Sequence, residues 1–589
     1  MYNCSDFHMI SKNIKWIHYF FMCFYGTMVF CQDDFIRGKL QDARTGEPVV
    51  FATIRIKDKA VGVISNQDGG FRIPKKFKEL GDILIISSMG YQKKEIPITG
   101  LAPEAINIIR LSQGVLELSE AVVTAKKKRR LTARKIVRKA IETIPMNYPQ
   151  NSFSLVGYYR DYQLNQENDY VNLNEAILEA FDLGFDMVDS ATTKVKIYNY
   201  KKNTDFKRDE VADAPYNYKT WQKIINKAYL FNYGGNEFTI LRIHDAIRNF
   251  KINSFDFVNQ LENDFLNNHF FDKDDDVYLD GQALYSIRFK NSKSGLTISG
   301  RLIISKENYA IYKMEYAVYD GVKGKRLGKS NKDGNKKQLV FKVVSEYKPK
   351  YGKMYLNYIS FHNSFLLGMP PRFVVDNIYL DDLCKCFTVR FNEIVDAFSA
   401  KKKKNYSFVF NGKKISISKI IPYLYTVELY PRMTERQFAS MKSETEKVIR
   451  NLELGQMKTS EATIKGFGDI DGDLYIYKAK LDSDIIEEGW ADMFQVEMKA
   501  GSFKVDMPKT FKVTIEELKD IYGFLLNKRV YKEYKQFREF FVQQALPGQI
   551  APGGSLFMNK RKPIFEDQPI AKPNNSTDYW MNTPLKKAN

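Results

Sequence analysis

The chain has 589 residues, with 90 Lys+Arg against 70 Asp+Glu and a formal net charge of +20. That length spans several domains of ~100–200 residues, and 44% apolar with 27% charged residues excludes a globally disordered chain. Aromatics reach 14%, dominated by Phe and Tyr, which favours β structure, while five Cys in such a length exclude a disulfide scaffold.

Lys12 and Lys15 precede the apolar run Trp16–Cys31, and polarity switches abruptly at Gln32-Asp33-Asp34. A basic start, a short apolar stretch and a sudden polar beginning predict a secretory signal peptide over residues 1–31. The run is shorter than the ~20 residues that span a bilayer. Val29 and Cys31 suit cleavage before Gln32. The alternatives are an uncleaved anchor and acylation of Cys31, although Phe30 stands where acylation wants a small residue. Export removes nucleic acid from the partners that the positive charge would otherwise suggest.

Residues 32–113 contain seven short alternating or apolar runs: 35–40, 49–56, 61–64, 70–73, 82–86, 93–98 and 106–111. Turn signals at Thr45-Gly46, Asp68-Gly69-Gly70 and Gly90 separate them. Seven strands at this spacing predict a β-sandwich. The stretch Gly38–Ile54, followed by Asn66-Gln-Asp-Gly-Gly-Phe71 and Ser87-Ser-Met-Gly-Tyr91, resembles the carboxypeptidase-regulatory-like domain. That module is similar to the transthyretin-like sandwich of some metallocarboxypeptidases and precedes many Bacteroidetes outer-membrane receptors. Asn66 stands where the family often has Thr. Leu116–Ala125 resembles the segment that follows the module in TonB-dependent receptors. No plug-like segment or series of barrel strands follows it, so the resemblance does not carry receptor function.

A basic linker, 114–131, leads into a helix. Lys126, Lys127, Lys128, Arg129, Arg130, Arg134, Lys135, Arg138 and Lys139 place cations opposite an apolar stripe of Ile136, Val137, Ala140, Ile141 and Ile144, with Thr132 as cap. The pattern reads as a solvated helix face or as a contact for anionic lipid or an acidic partner.

Residues 132–430 read as a large curved antiparallel β domain with a helical or irregular insert near 205–270. Hairpins are predicted at 299–315 and at 340–361, the latter around Tyr351-Gly352. Ala133–Ala180 and Gly300–Met314 resemble uncharacterised Bacteroidetes envelope proteins that carry such a sheet. The whole therefore reads as mainly β with inserted and C-terminal helices.

Residues 431–546 carry the capping-box patterns Thr434-x-x-Gln437 and Thr514-x-x-Glu517, which predict helices near 435–453 and 515–545, with strands over 461–507 between them. From 547 to 589 the chain holds six of its 19 prolines. It reads as an extended tail whose Phe557, Ile564, Phe565, Tyr579 and Trp580 dock on this body or on another subunit.

Little points to a reaction. A zinc carboxypeptidase needs His and carboxylate ligands in a tetrahedral set, but His244, His269 and His362 lack metal-ligand spacing. Ser416-Ile-Ser-Lys419 lacks companion motifs, and no nucleophile elbow occurs. Asp272–Asp276 and Asp469–Asp473 space carboxylates as a calcium loop would, without its Gly and Glu. Cys384 and Cys386 alternate onto one strand face, where an i,i+2 disulfide is a poor fit. Lys401–Lys404 and Lys323–Lys337 read as solvated loops.

No catalytic, cofactor or metal residues are therefore expected, and the chain is not expected to be an enzyme. The expected role is a periplasmic scaffold or accessory subunit on an outer-membrane receptor or barrel-assembly complex. The alternatives are a carrier of lipid or another amphiphile on the large sheet, and a hydrolase of peptide or glycan.

Overall fold

The computed structural model describes residues 35–59, 61–114, 131–213, 223–224, 236–252, 260–293, 295–320, 338–457, 474–478, 495–507, 510–554, 556–571 and 579–585. The expected signal peptide, residues 126–130, the loop 323–337 and the acidic stretch 469–473 lie outside the described residues.

The N-terminal strands are β1 (Phe35–Asp42), β2 (Thr53–Ile56), β3 (Gly62–Ile64), β4 (Gly70–Pro74), β5 (Ile83–Ser87), β6 (Lys94–Pro97) and β7 (Ile106–Leu111). They form two sheets, ordered β4-β1-β7 and β3-β2-β5-β6, so the sandwich has the seven strands expected. β1 alternates strictly between half-buried and buried positions. Its inward Ile36 and Leu40 meet Ile54, Phe71, Ile73, Leu84 and Ile86 in one apolar core. The second strand is shorter than its apolar run: Phe51 has φ +59°, and this left-handed residue breaks the strand before Thr53.

The larger sheet takes β8 (Phe153–Leu164), β9 (Tyr170–Asp182), β10 (Lys194–Lys202), β12 (Phe270–Lys273), β13 (Val277–Leu279), β14 (Gln282–Lys293), β15 (Leu296–Ser305), β16 (Ile311–Asp320), β17 (Gln338–Lys350), β18 (Lys353–Gly368) and β29 (Tyr531–Pro547). Its order is β10-β9-β8-β29-β18-β17-β16-β15-β14-β12, with β13 also on β14 and the two-residue β11 (Lys223–Ile224) on the end of β18. The β17–β18 turn has positive φ at both Tyr351 and Gly352, the conformation that suits a two-residue hairpin.

Every residue of β8 is buried, as is all of β9 after Tyr170. Burial on both faces replaces the one-sided alternation expected of an antiparallel sheet. The sandwich and the tail cover one face through Ile64, Phe51, Tyr579 and Met581. The helix Glu237–Ile243 covers the other, with Phe238 edge-on to Tyr159 and Phe540. At β8 and β9, the sheet expected to receive a ligand is thus covered by the chain itself.

The chain divides into two compact units: residues 1–215, 225–365 and 534–589, and residues 216–224 and 366–533. The division does not follow the boundary expected at 430, because the chain leaves the large sheet through β18 and returns to it only in β29. The second unit holds β19 (Val375–Asp381), β20 (Cys386–Phe391), β21 (Tyr406–Phe410), β22 (Lys413–Ile415), β23 (Ile417–Pro422), β24 (Thr426–Pro431), β25 (Leu474–Lys478), β26 (Gln495–Lys499), β27 (Ser502–Asp506) and β28 (Phe511–Glu516). They make two five-stranded sheets around Phe387, Phe408, Leu429, Val505 and Val513.

One capping box forms and one does not. Gln437 N–H donates to Thr434 Oγ1 at 3.3 Å, Thr434 N–H donates back to Gln437 Oε1 at 2.8 Å, and the helix runs Glu435–Met457. Thr514 and Glu516 instead lie in β28, and Glu517 turns the chain at φ +56°. The helices expected over 515–545 are replaced by β28 and the 17-residue β29. The run Phe537-Arg-Glu-Phe-Phe-Val542 has no clear period because both of its faces are buried, so helix and strand are indistinguishable by pattern there.

Gly300 in β15 lies opposite Phe289 of β14. A Cβ added there would run into the Phe289 ring and the Glu315 carbonyl. Gly300→Ala is expected to destabilise the protein by about 1–3 kcal/mol, the usual range for overpacking, read as a lower midpoint in thermal or urea unfolding. An unchanged midpoint would show that both the ring and the neighbouring backbone give way at little cost.

Candidate functional site

A buried charged cluster lies where the sandwich meets β8, β9 and β29. Alternation puts Tyr158, Arg160 and Tyr162 of β8 on one face, and Arg160 pairs in register with Glu539 of β29. Arg160 Nε donates to Glu539 Oε2 at 2.6 Å, and both side chains are fully buried. The guanidinium also lies over the Tyr162 and Phe541 rings, at 5.1 and 4.9 Å from their centroids. Burial disfavours its charge, but Glu539 and the surrounding tyrosines overcome that and hold its pKa above the usual arginine value.

Arg160 Nη1 reaches into the sandwich and donates to Asn66 Oδ1 at 2.6 Å. Asn66, the departure from the family pattern, is thus the acceptor for a buried arginine. Beside it, Lys348 Nζ donates to Thr53 Oγ1 at 2.5 Å, and Phe51 stacks on Tyr358 at 4.7 Å.

A cleft of about 270 Å³ opens here, lined by residues including Val50, Phe51, Met89, Glu346, Lys348 and Tyr358. Burial pushes the Lys348 ammonium down, and Glu346 at 3.8 Å opposes that shift. Burial, with Arg55 and Lys348 nearby, pushes Lys350 down to about 8. The volume falls just short of the ~300–1,000 Å³ of small-molecule sites.

The opposite face of the sheet carries a second buried cluster. Asp182 accepts from Arg242 Nη2 and Arg248 Nε, each at 2.8 Å, and Asp189 accepts from Arg242 at 2.6 Å. Burial opposes ionisation of Asp189, but Arg242 and Arg248 outweigh it and hold the carboxyl at about 2.

Four of the tail residues singled out in the sequence contact the sheet or the sandwich, and Ile564 is buried. Phe557 meets Phe181 edge-on, and Phe565 stacks on Tyr159. Tyr579 Oη donates to Gln544. Trp580 enters the sandwich core beside Phe77, its indole N–H donating to the Arg72 carbonyl at 2.9 Å. Asn582 accepts from Arg72 N–H and donates to the Ile64 carbonyl, both at 2.8 Å, so the tail covers the β3 and β4 edges of the sandwich.

Of the basic stretch, Arg134, Lys135, Arg138 and Lys139 are exposed on the helix Ala133–Glu142, which Thr132 caps. Arg134 donates to Asn267 at 3.1 Å, and Lys139 lies 4.8 Å over the Tyr309 ring.

The remaining chemical candidates do not converge. His244 and His269 each donate from Nδ1 to a carbonyl of their own helix, Ile240 and Phe265, and burial holds both at about 4. His362 stacks on Phe537 and is pushed down to about 3 by burial and by Lys342 and Lys535. Ser416 sits in the break between β22 and β23, and the Lys419 ammonium lies over Tyr430. Asp274 pairs with Arg288 and Arg301, and Asp276 with Lys306, so these carboxylates close ion pairs within the chain.

The cysteine expectation is overturned. Residues 382–385 form a turn with Lys385 at φ +54°, not a strand. The turn brings the Cα atoms of Cys384 and Cys386 to 5.3 Å, and the two sulfurs are bonded as a disulfide. Asp381 lies close enough to complete a three-ligand group, but bonded sulfurs offer no thiolate to a metal.

Residues 36–123 match the family described as CarboxypepD_reg-like domain. Within the curated proteins, the chain is 38% identical over 69 residues to a TonB-dependent receptor SusC of Bacteroides thetaiotaomicron. The match covers 12% of this chain and 6% of that receptor. No solved structure matches significantly. Among the described residues, no helix is long and apolar enough to cross a membrane.

Two outcomes follow. Arg160→Met or Glu539→Leu alone leaves one buried charge without its partner and is expected to cost about 3–5 kcal/mol in denaturant unfolding, whereas the double substitution recovers most of it. Additive losses would show that the two residues do not act as a pair. Asp161, which accepts from Tyr159 at 3.1 Å and Asn174 at 2.8 Å, is pushed up to about 7, chiefly by burial and then by Glu237. Its folded pKa lies above its unfolded value near 3.8, so the folded state binds the extra proton between those values and stability falls as pH rises from 4 to 7. Asp161→Asn should flatten that part of the curve of unfolding free energy against pH; an unchanged slope rejects the assignment.

Proposed function

We propose that this protein is an exported, non-catalytic accessory subunit that docks on an outer-membrane receptor-type complex from the periplasmic side, with its sandwich as the docking module. The observation that carries this reading is the open edge of β7. Among the described residues no strand besides β1 pairs with β7, although Lys94 Nζ and Gln92 N–H reach the Arg110 and Ser112 carbonyls at its far end, and Ile106 and Ile108 at its start are 40% and 47% exposed. The β3 and β4 edges of the same domain are occupied by the chain's own tail. An unpaired strand edge with apolar side chains accepts an added strand, the main chain supplying affinity and the side chains specificity.

The similarity to a domain-length piece of a TonB-dependent receptor supports the setting. The exposed cations of the helix Ala133–Glu142 suit an acidic partner surface nearby. The carrier reading gains no support at β8 and β9, which are buried on both faces.

Affinity purification of the full chain from detergent-solubilised outer membrane tests the proposal. It is expected to bring down an integral outer-membrane protein, and Ile106→Lys with Ile108→Lys is expected to lose that partner with an unchanged melting temperature. Recovery of the chain alone as a monomer, or retention of the partner by the variant, contradicts it.

A further inference from the structure

Three loops of the second unit lie side by side at one end of β20. Val395 N–H donates to the Leu424 carbonyl at 2.8 Å, and Ile521 N–H donates to the Ile394 carbonyl at 3.0 Å. The β23–β24 turn, the loop after β20 and the turn following β28 are thereby held in one row. Their tips are apolar and exposed: Phe398 at 85%, Tyr423 at 52%, Leu424 at 64%, Ile521 at 51% and Tyr522 at 64%. Single exposed apolar residues are ordinary, but five on three adjoining tips form a patch.

The carboxylates beside this patch are engaged within the chain, Glu428 accepting from Tyr430 Oη at 2.7 Å and from Tyr423 Oη at 3.5 Å. Asp520 is buried and Asp396 is taken up capping Phe398 and Ser399 N–H. Arg372, which lies 4.4 Å over the Tyr522 ring, faces Glu393 and Asp520. Lys401, Lys402 and Lys519 are exposed and make no ion pair among the described residues. Aromatic and aliphatic tips flanked by free lysines match what a bilayer interface selects: rings at headgroup depth, and ammonium groups that reach anionic headgroups.

We propose that this end of the second unit is a membrane-contact surface, inserting Leu424 and Tyr522 into the headgroup region of a bilayer containing anionic lipid. The patch consists of loop tips, not a groove or a strand edge, which suits a fluid surface better than a folded partner. The proposal does not rest on the docking role inferred for the sandwich, and neither depends on the outcome of the other's test.

The experiment places a reporter in the patch of the full chain. Leu424→Trp is mixed with vesicles of phosphatidylethanolamine and phosphatidylglycerol carrying bromine-labelled acyl chains, with the wild-type chain and its four Trp as baseline. Leu383→Trp is the control: Leu383 is 89% exposed, at the far end of β20, roughly 20 Å away at ~3.3 Å per residue. The expected result is quenching and a blue shift of the Leu424→Trp emission with none for Leu383→Trp. Lys401→Gln, Lys402→Gln and Lys519→Gln added together should reduce the quenching, as should replacing the anionic lipid by phosphatidylcholine. Absence of quenching at Leu424→Trp, or equal quenching at both positions, overturns the surface. Equal quenching on neutral vesicles overturns its preference for anionic lipid.

Discussion

Strands covered on both faces must satisfy their polar atoms from within, and this constraint shapes the first unit around β8 and β9. β8, β9 and β29 carry Arg160, Asp161, Glu175, Glu179, Arg538 and Glu539 into the interior, where all six are buried. An isolated buried charge is prohibitive, so each needs an opposite charge or a ring of donors. Arg160 finds Glu539, and Glu175 accepts from Tyr158 at 2.6 Å, Asn203 at 2.7 Å and Thr583 at 2.8 Å. These partners come from distant parts of the chain. The same bonds that discharge the desolvation cost therefore tie strand, sandwich and tail into one arrangement. A buried pair is weak evidence for net stability, but it is demanding about geometry.

The tail follows from the same rule. An open twelve-stranded sheet leaves β10 as an edge, with unpaired backbone groups. Met558 and Ala571 N–H donate to the Val195 and Ile197 carbonyls at 2.8 Å, covering that edge. Further along, Gln543 falls at the register shift in the β8–β29 pairing, and its side chain donates to the Trp580 carbonyl at 2.8 Å. The bulge re-aims one side chain out of the ladder so that it grips the tail. Proline-rich sequence suits this work, since an extended segment that lies across other elements needs little ladder of its own.

The sandwich is therefore held on two sides. Its Asn66 and Thr53 bond to the large sheet, its Trp580-filled core and its β3 and β4 edges receive the tail, and among the described residues no strand pairs with the outer side of β7. Such a domain is a fixed part of a larger body, with β6 and β7 as the end strands that the tail does not cover. In the second unit, the same logic of leftover surface picks out the apolar loop tips, where internal bonding has used the acidic groups and left lysines beside exposed rings.

Local chemistry was enough to reveal much of this. The seven short strands, the Tyr351-Gly352 turn, the Thr434–Gln437 cap and the amphipathic face of 133–142 depend on nearest-neighbour geometry, which a sequence writes directly. The cysteines show where that ends: alternation suggested a strand, but Lys385 takes a left-handed conformation and closes a turn. Glu517 likewise turns the chain where a capping pattern promised a helix. β29 was illegible because alternation marks a strand only when one face is wet, and here neither is. Whether Arg160 would be a surface cation or the centre of the interior could not be read from its neighbours, since Glu539 is 379 positions away. Burial on both faces and pairing at that separation are properties of the packed chain, and they alone decided which charges became structure and which remained available for contact.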